Sequence, residues 1–189
     1  MVLNISPTSA SLNTQYSGVK VDEWENYEIE LSKPIDSIFD FLKATDRKDL
    51  LYCGTTLTLI HELEDNDNVV EYLSERFNKF TTAQKLYDYS TRFAIVVDND
   101  YFVNLSFANV RAINVDQMEA SKHVSGTAPD NAKQAMQIVI DINDKHAFNN
   151  QEKYNTSAEK LNQEFKISNF FVKNIMSIIE NGSIGEIQL

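Results

Sequence analysis

The sequence predicts a single α+β domain with an antiparallel or mixed sheet of about five to seven strands and three to four helices. Three observations predict this class. The first two are that strand-like alternation of apolar residues recurs along the chain and that stretches with helix-like spacing separate the strands. The third is a β-hairpin at residues 92–115, where two apolar runs flank Asp98-Asn99-Asp100. Because hairpins join antiparallel strands, the sheet is not expected to be wholly parallel.

The N-terminal part predicts an arm, a hairpin and a short helix. Residues 1–17 are rich in Ser, Thr and Asn, so we expect a polar arm there and one domain over residues 18–189. Apolar residues at odd positions then indicate a hairpin, with Val19, Val21, Tyr27, Ile29 and Leu31 on one face. Pro34 suits the first turn of a helix whose apolar face comprises Ile35, Ile38, Phe39 and Leu42.

The next stretch predicts a strand and one or two helices. Apolar residues of one parity from Leu51 to Leu63 indicate the strand. Residues 66–68 supply N-cap side chains for a helix with Val70, Leu73, Phe77 and Phe80 on its apolar face. Thr81 and Gln84 match a capping box, so we expect the helix to restart there and to carry Leu86 and Tyr87.

The central hairpin and the C-terminal part complete the domain. The unbroken apolar run Phe93–Val97 predicts a strand that is buried on both faces. The long loop at residues 117–133 is a candidate binding surface, and alternation from Met136 to Ile142 predicts one more strand after it. Thr156 and Glu159 match a second capping box, and the helix that it opens is expected to end at a C-cap formed by Asn181-Gly182.

The charge balance restricts the classes of partner. Lys and Arg total 17 against 28 Asp and Glu, which gives a net charge of −11. A charge of that sign repels phosphate at long range, so non-specific nucleic-acid binding is not expected. Plain solubility, docking to a basic partner and imitation of nucleic acid are all compatible with it.

Composition also predicts the setting of the protein. No apolar run approaches the ~18 residues of a membrane span, and no signal peptide is recognisable, so we expect a cytoplasmic protein without a membrane partner. Cys53 is the only cysteine, which rules out an internal disulfide. Abundant Asn, Ile, Lys, Phe and Tyr with 5 Gly and 3 Pro are typical of AT-rich genomes, phage genomes among them.

The strongest catalytic candidate is a set of acidic residues at two strand ends. Asp98 and Asp100 end one predicted strand, and Asp141, Asp144 and His146 end another. If the two ends were neighbours, these side chains could hold Mg²⁺ or Mn²⁺ for phosphodiester chemistry. The competing interpretation is that Asp and Asn end strands because they form turns, and the sequence favours this role.

The other reactive side chains carry weaker signals. His61 lies on the apolar face of its strand, which is typical of a half-buried structural histidine, and His123 lies in the long loop. Cys53 is expected to be an inert thiol on the core side of its strand. Phosphate-binding glycine loops, CxxC and HExxH are absent from the sequence, so no cofactor is predicted.

Aromatic residues on the central hairpin suggest a different site. Tyr101, Phe102 and Phe107, with Arg92 and Arg111 near the strand ends, have the residue types that stack and neutralise single-stranded nucleic acid. The alternative is that these rings belong to the core, which the sequence favours because the domain needs bulky residues for packing.

Three functional hypotheses follow. The first is a non-enzymatic protein-interaction or assembly protein, such as a viral structural subunit or a phage-encoded regulator of a host protein, acting with a protein partner or by self-association. Its candidate contacts are the arm at residues 1–17, the loop at residues 117–133 and the C-terminal segment at residues 184–189. The second is a single-stranded nucleic-acid-binding domain, and the third is a metal-dependent enzyme. No residue is predicted to be catalytic under the first hypothesis, which we prefer.

Overall fold

The computed structural model describes residues 2–5, 9–15, 24–44, 50–62, 68–77, 82–112 and 132–187. Their strands and helices, in chain order, are β1 (Val2–Ile5), β2 (Ala10–Asn13), α1 (Trp24–Ala44), β3 (Gly54–His61), α2 (Val69–Phe77), β4 (Ser90–Val97), β5 (Tyr101–Ala112), β6 (Lys133–Asn143), α3 (Lys145–Asn150) and α4 (Ala158–Asn181). The predicted α+β class is confirmed. The described part of the chain contributes four strands to the main sheet, which is fewer than the five to seven strands predicted.

The main sheet is antiparallel throughout and has the strand order β3-β6-β5-β4. Its central hairpin joins β4 to β5, as the sequence predicts. Asp98 and Asn99 have φ of 52° and 56°, a left-handed conformation that Asp and Asn tolerate better than other non-glycine residues. The Asp100 N–H donates to the Val97 carbonyl at 3.1 Å and closes the turn.

The two faces of this sheet differ in cover. On one face, alternate residues of β5 and β6, including Val103, Leu105, Ile138, Ile140 and Ile142, are buried under α2 and α4. Burying each such side chain contributes roughly 1.5–3 kcal/mol. The other face carries the residues of opposite parity, and we call it the open face: Thr56, Thr58, Ile60, Arg92, Ala94, Val96, Phe102, Asn104, Ser106, Ala108, Gln137, Val139 and Asp141.

Helix α4 supplies most of the cover over the buried face. Its buried apolar residues recur at helical spacing: Leu161, Phe165, Phe171, Val172, Ile175, Ile178 and Ile179. The helix ends at Gly182, whose φ of 61° is left-handed, so the predicted C-cap is confirmed. The predicted start is corrected by one residue: Ser157 is the N-cap and accepts from the Lys160 N–H at 3.3 Å.

The N-terminal prediction of a hairpin at residues 19–31 is wrong where the structure describes that stretch. Residues from Trp24 onward belong to α1, which continues through Pro34 to Ala44. A proline inside a helix costs about 3 kcal/mol, and the burial of Ile35 and Phe39 against Leu161 and Phe165 offsets that cost. Within the predicted arm, β1 pairs with β2 as a two-stranded hairpin, so those residues are not a structureless segment.

Strand β3 and helix α2 agree with the predictions for their stretches, whereas two neighbouring predictions fail. The Asn68 side chain caps α2 by accepting from the Glu71 N–H at 3.4 Å. The predicted helix restart is wrong, because residues 82–89 are irregular; Thr81 and Phe80 lie outside the described residues.

Strand β4 is not buried on both faces: it lies at the sheet edge, where Phe93 is 36% exposed and Val96 46% exposed.

The remaining segments have mixed outcomes. Residues 117–131 of the predicted loop, with His123, lie outside the described residues. At the C-terminal end, Ile184 and Ile187 pack against the main core. None of the helices that the structure describes is long and apolar enough to cross a membrane.

Candidate functional site

The most chemically unusual place in the structure is a buried cluster where β3 begins and β6 ends. Because β3 and β6 are antiparallel neighbours, Cys53, just before β3, lies beside Asp144, just after β6. Their backbones are bonded, with the Asp144 N–H donating to the Cys53 carbonyl at 3.3 Å. In return the Cys53 N–H donates to Asp144 Oδ1 at 2.8 Å. Sheet register alone therefore fixes the first two members of the cluster.

The segment between α3 and α4 brings two hydroxyl donors to the same carboxyl group. The Tyr154 hydroxyl donates to Asp144 Oδ2 at 2.6 Å. The Thr156 hydroxyl contacts the same oxygen and also lies 3.0 Å from Cys53 Sγ. The Thr156 N–H donates to the Leu50 carbonyl at 3.2 Å and holds this segment against the start of β3.

Helix α4 supplies the second carboxyl group through Glu164. Glu164 occupies a core-facing position of the helix, adjacent to Phe165, and its side chain is fully buried. Glu164 Oε2 accepts from the Thr55 hydroxyl at 3.1 Å, and Glu164 Oε1 accepts from Cys53 Sγ at 3.3 Å. We call Cys53, Thr55, Asp144, Tyr154, Thr156 and Glu164 the buried acid cluster.

The electrostatics of the buried acid cluster favour the neutral form of Glu164. Asp144 and Glu164 are both fully buried, and within the described part of the chain neither carboxyl group forms an ion pair. Burial, reinforced by the charges of Asp144 and Asp141, raises the pKa of Glu164 from 4.5 to about 8, although hydrogen bonds from Cys53 and Thr55 oppose the change. Glu164 is therefore largely protonated at neutral pH.

The thiol and the phenol of the cluster are held in their protonated forms as well. Burial, followed by the charge of Glu164, raises the pKa of the Cys53 thiol far above its ordinary value. Burial and the hydrogen bond to Asp144 likewise raise the pKa of Tyr154. A thiol that stays protonated is a poor nucleophile, which agrees with the inert role predicted for Cys53.

The cluster also has the only described set of side chains suited to a metal ion. Ligand atoms of Cys53, Asp144 and Glu164 lie within 4.8 Å of one another, and no other group of three or more His, Cys, Asp or Glu does so among the described residues. Thiolate and carboxylate ligands suit a divalent metal such as Zn²⁺. However, hydroxyl, thiol and backbone donors already occupy the carboxyl oxygens, so the arrangement is that of a hydrogen-bonded structural cluster.

The two strand ends predicted to hold metal ligands do meet in space, but their side chains diverge. The Ala147 N–H donates to the Asp100 carbonyl at 3.0 Å, and His146 Nδ1 lies 2.8 Å from the Asn99 carbonyl oxygen. Asp98 is exposed in the turn, and Asp100 pairs with Lys160 and accepts from Gln151 Nε2 at 2.7 Å.

Asp141 and Asp144 separate because they lie on opposite faces of the sheet. Asp141 is on the open face, where it accepts from the Thr56 hydroxyl at 3.2 Å and from Asn104 Nδ2 at 3.1 Å. Arg92 Nη2 extends this chain by donating to Asn104 Oδ1 at 2.8 Å. Of the five predicted ligands, Asp144 alone belongs to the buried acid cluster.

The aromatic residues of the central hairpin are divided between the two faces. Tyr101 and Phe107 are each only 1% exposed, so neither ring can stack on a base in this structure. Tyr101 contacts Gln163 through its hydroxyl, and Phe107 stacks on Phe77 at 4.7 Å between ring centroids. These two rings belong to the core, as the competing interpretation of the sequence holds.

Phe102 lies on the open face, where its ring meets His146 edge-on at 5.0 Å between centroids. Arg92 shares that face, whereas Arg111 has the opposite parity on β5 and stacks on the Tyr87 ring at 3.7 Å. Of the five residues predicted to bind nucleic acid, Arg92 and Phe102 are therefore the two that share the open face.

Four cluster members were missed as site residues by the sequence analysis: Thr55, Tyr154, Thr156 and Glu164. Glu164 had a recognisable signal, because it interrupts the apolar face that runs from Leu161 through Phe165 with a charged side chain. Thr156 was assigned to a helix cap, and its hydroxyl instead bonds to Asp144 and Cys53. Nothing in the local pattern distinguishes Tyr154.

Comparison with known proteins adds no relative. No protein-family model, curated protein or solved structure matches this chain. Functional inference therefore rests on the geometry of the buried acid cluster and of the open face.

Proposed function

We propose that this chain is a non-enzymatic protein-interaction or assembly protein that binds a protein partner through the open face of its main sheet. The observation that carries this proposal is the unequal cover of the sheet. Helices α2 and α4 pack on one face, whereas the described helix contact with the other face is that of the short helix α3, whose His146 meets Phe102 near the hairpin turn. On the open face Ile60 is 56% exposed and Val96 46% exposed. They lie on the two edge strands, so both borders of the open face expose an apolar side chain that a partner could bury.

The side chains of the open face suit a flat partner. The centre of the face is built from small residues, with Val139 paired between Thr58 on β3 and Ser106 on β5. Small side chains leave a smooth surface on which another sheet can pack at about 10 Å. The face therefore supports contact with a second layer of protein more than it supports a small-molecule pocket, which requires concavity.

Charge on the open face also supports a protein partner. Its charged residues are Arg92 and Asp141, which Asn104 links by hydrogen bonds, and Lys133 at one end of β6, which pairs with Glu62. The face is therefore close to neutral in a chain of net charge −11. A partner can approach this face with less long-range repulsion than elsewhere on the protein.

The chemistry of the buried acid cluster supports a non-enzymatic role. Its carboxyl groups are fully buried and hydrogen-bonded, and its thiol is held protonated. A general acid, base or nucleophile must reach the reacting atoms of a substrate. A cluster closed in this way serves to join β3, β6 and α4.

The proposal includes a setting. The amino-acid composition of the chain is typical of AT-rich genomes and fits a viral or phage-encoded protein. Such a protein would act as a structural subunit or as a regulator of a host protein, in the cytoplasm or the virion. The arm at residues 1–17, the loop at residues 117–133 and the C-terminal segment at residues 184–189 are the other candidate contacts that the sequence suggests.

The proposal is tested by immobilising the purified protein and capturing a partner protein from a lysate of the cells that naturally produce it. Val139→Glu places a charge at the centre of the open face, and it is expected to abolish partner capture while the circular dichroism spectrum is unchanged. Leu51→Glu is the matched control, because Leu51 is 51% exposed and lies outside the open face. Equal capture by the wild type and Val139→Glu would show that this face is not the contact.

A second candidate, binding of single-stranded nucleic acid, is favoured by one observation. Arg92 and Phe102 are on the same open face and could provide a cation and a stacking ring. Electrophoretic mobility with labelled oligonucleotides at ~50 mM salt tests it, since electrostatic binding is strong at that salt concentration. The absence of a shift there would remove this candidate.

A further inference from the structure

Strand β4 is an edge of the main sheet that lacks the usual protection. In the described structure it pairs with β5 alone, through eight consecutive residue pairs without a bulge. An edge strand presents backbone N–H and C=O groups to any extended chain. Soluble proteins commonly block such edges with lysine, proline or bulges, and the strand sequence STRFAIVV has none of these.

The side chains of β4 also favour pairing with another strand. Phe93, on the helix-covered side, is 36% exposed, and Val96, on the open face, is 46% exposed. Ala94 between them is exposed as well. The single charge of the strand, Arg92, is directed along the sheet to Asn104. A strand added at this edge would therefore bury apolar surface on both faces and would meet no acidic residue of β4.

An identical strand is a good match for this edge. If two β4 strands run antiparallel about a two-fold axis at Ala94, then Ala94 faces Ala94, Phe93 faces Ile95, and Arg92 faces Val96. Aromatic residues opposite β-branched residues stabilise antiparallel strands, and no like charges meet in this register. Residues of equal parity are paired, so the open faces of the two copies form one surface.

We propose that two copies of this chain associate through antiparallel pairing of their β4 strands about Ala94, which forms a continuous eight-stranded sheet. This inference rests on the proposed interaction function and names one partner, a second copy of the chain. The dimer doubles the width of the open face. Because a single strand pair is a small contact, we expect a concentration-dependent dimer.

Sedimentation equilibrium of the wild type and of charge variants at the axis tests the dimer. The wild type is expected to shift from monomer to dimer as its concentration rises. Ala94→Lys and Ala94→Glu each place two like charges opposite one another. The association constant of each variant alone should therefore fall by at least about tenfold. An equimolar mixture of the two should recover the dimer, because opposite charges then meet at the axis.

The mixture distinguishes lost pairing from lost folding, because a variant that fails to fold cannot be rescued by its partner. Ile60→Lys on β3, the other edge strand, is the control and should leave the dimer intact. A wild type that stays monomeric at every concentration, a mixture that fails to associate, or loss of the dimer in Ile60→Lys would each overturn the inference. A monomeric wild type that still captures a partner sensitive to Val139→Glu would refute the dimer alone and leave the proposed function standing.

Discussion

Replacement of Glu164 by Gln is expected to remove a large pH dependence of stability. The folded protein holds the pKa of Glu164 near 8, against an ordinary value of 4.5. Between these two pH values the folded protein retains a proton that the unfolded chain releases. The free energy of unfolding therefore falls as the pH rises across this window, and the contribution of the protonated group is fully present only below about pH 4.5.

The size of the effect follows from the distance between the two pKa values. At about 1.4 kcal/mol for each pH unit, the interval from 4.5 to about 8 corresponds to a loss of at most about 5 kcal/mol. Glutamine is neutral at every pH, keeps an oxygen that accepts from Thr55, and places its N–H group beside Cys53 Sγ. We therefore expect Glu164→Gln to exceed the wild type in stability by several kcal/mol near pH 8, and by little near pH 5.

Urea unfolding of both proteins at a series of pH values from 5 to 9 measures this difference. The quantity to compare is the wild-type free energy of unfolding minus that of the variant, since titration of all other groups largely cancels. Glu180→Gln is the matched control, because Glu180 is exposed on the same helix and should leave the pH profile unchanged. If the difference between wild type and Glu164→Gln did not vary with pH, the account of the buried acid cluster would be wrong.

Three further predictions concern the packing around the cluster and the sheet, and urea unfolding at pH 7 measures all of them. Thr156→Val removes a donor to buried Asp144 and should lower the free energy of unfolding by about 1–3 kcal/mol, whereas Thr58→Val on the open face should lower it little. Equal losses would contradict the stabilising role of the buried acid cluster. Gly182→Ala should cost about 1–2 kcal/mol because Gly182 has a φ of 61°, while Gly185→Ala should be neutral because nothing lies within 4 Å of its added Cβ. Ile140→Ala in the core should cost about 2–5 kcal/mol, and a cost as small as that of Ile60→Ala would show that the helices do not cover this face.

Local patterns predicted the elements whose side chains alternate cleanly between core and solvent. The central hairpin, β6 and the C-terminal end of α4 were recovered because period-two and helical spacing, an Asx turn and a glycine cap act over a few residues. The N-terminal part of helix α1 was missed because five odd-numbered apolar residues resemble a strand, whereas the helix predicted from Pro34 onward is its C-terminal part. Its tertiary packing against α4 overrides that pattern and also tolerates Pro34 inside the helix.

The candidate sites were predicted less well, for a related reason. The sequence allowed Asp98 and Asp141 to be neighbours, because each lies near the end of a predicted strand. It could not tell that Asp141 points to the open face and that Asp98 is exposed in its turn. It also could not tell that β4 is an edge strand, because an unbroken apolar run is compatible with either position in a sheet.

By itself, the sequence determined the α+β class, the charge of −11 and the positions of most strands, since these depend on composition and on neighbours a few residues apart. The tertiary structure alone decided that Cys53, Asp144 and Glu164 share one site, and that helices α2 and α4 both cover the same face of the sheet. Both outcomes depend on which segments pack together across long stretches of chain, and burial at those contacts sets the protonation of Glu164.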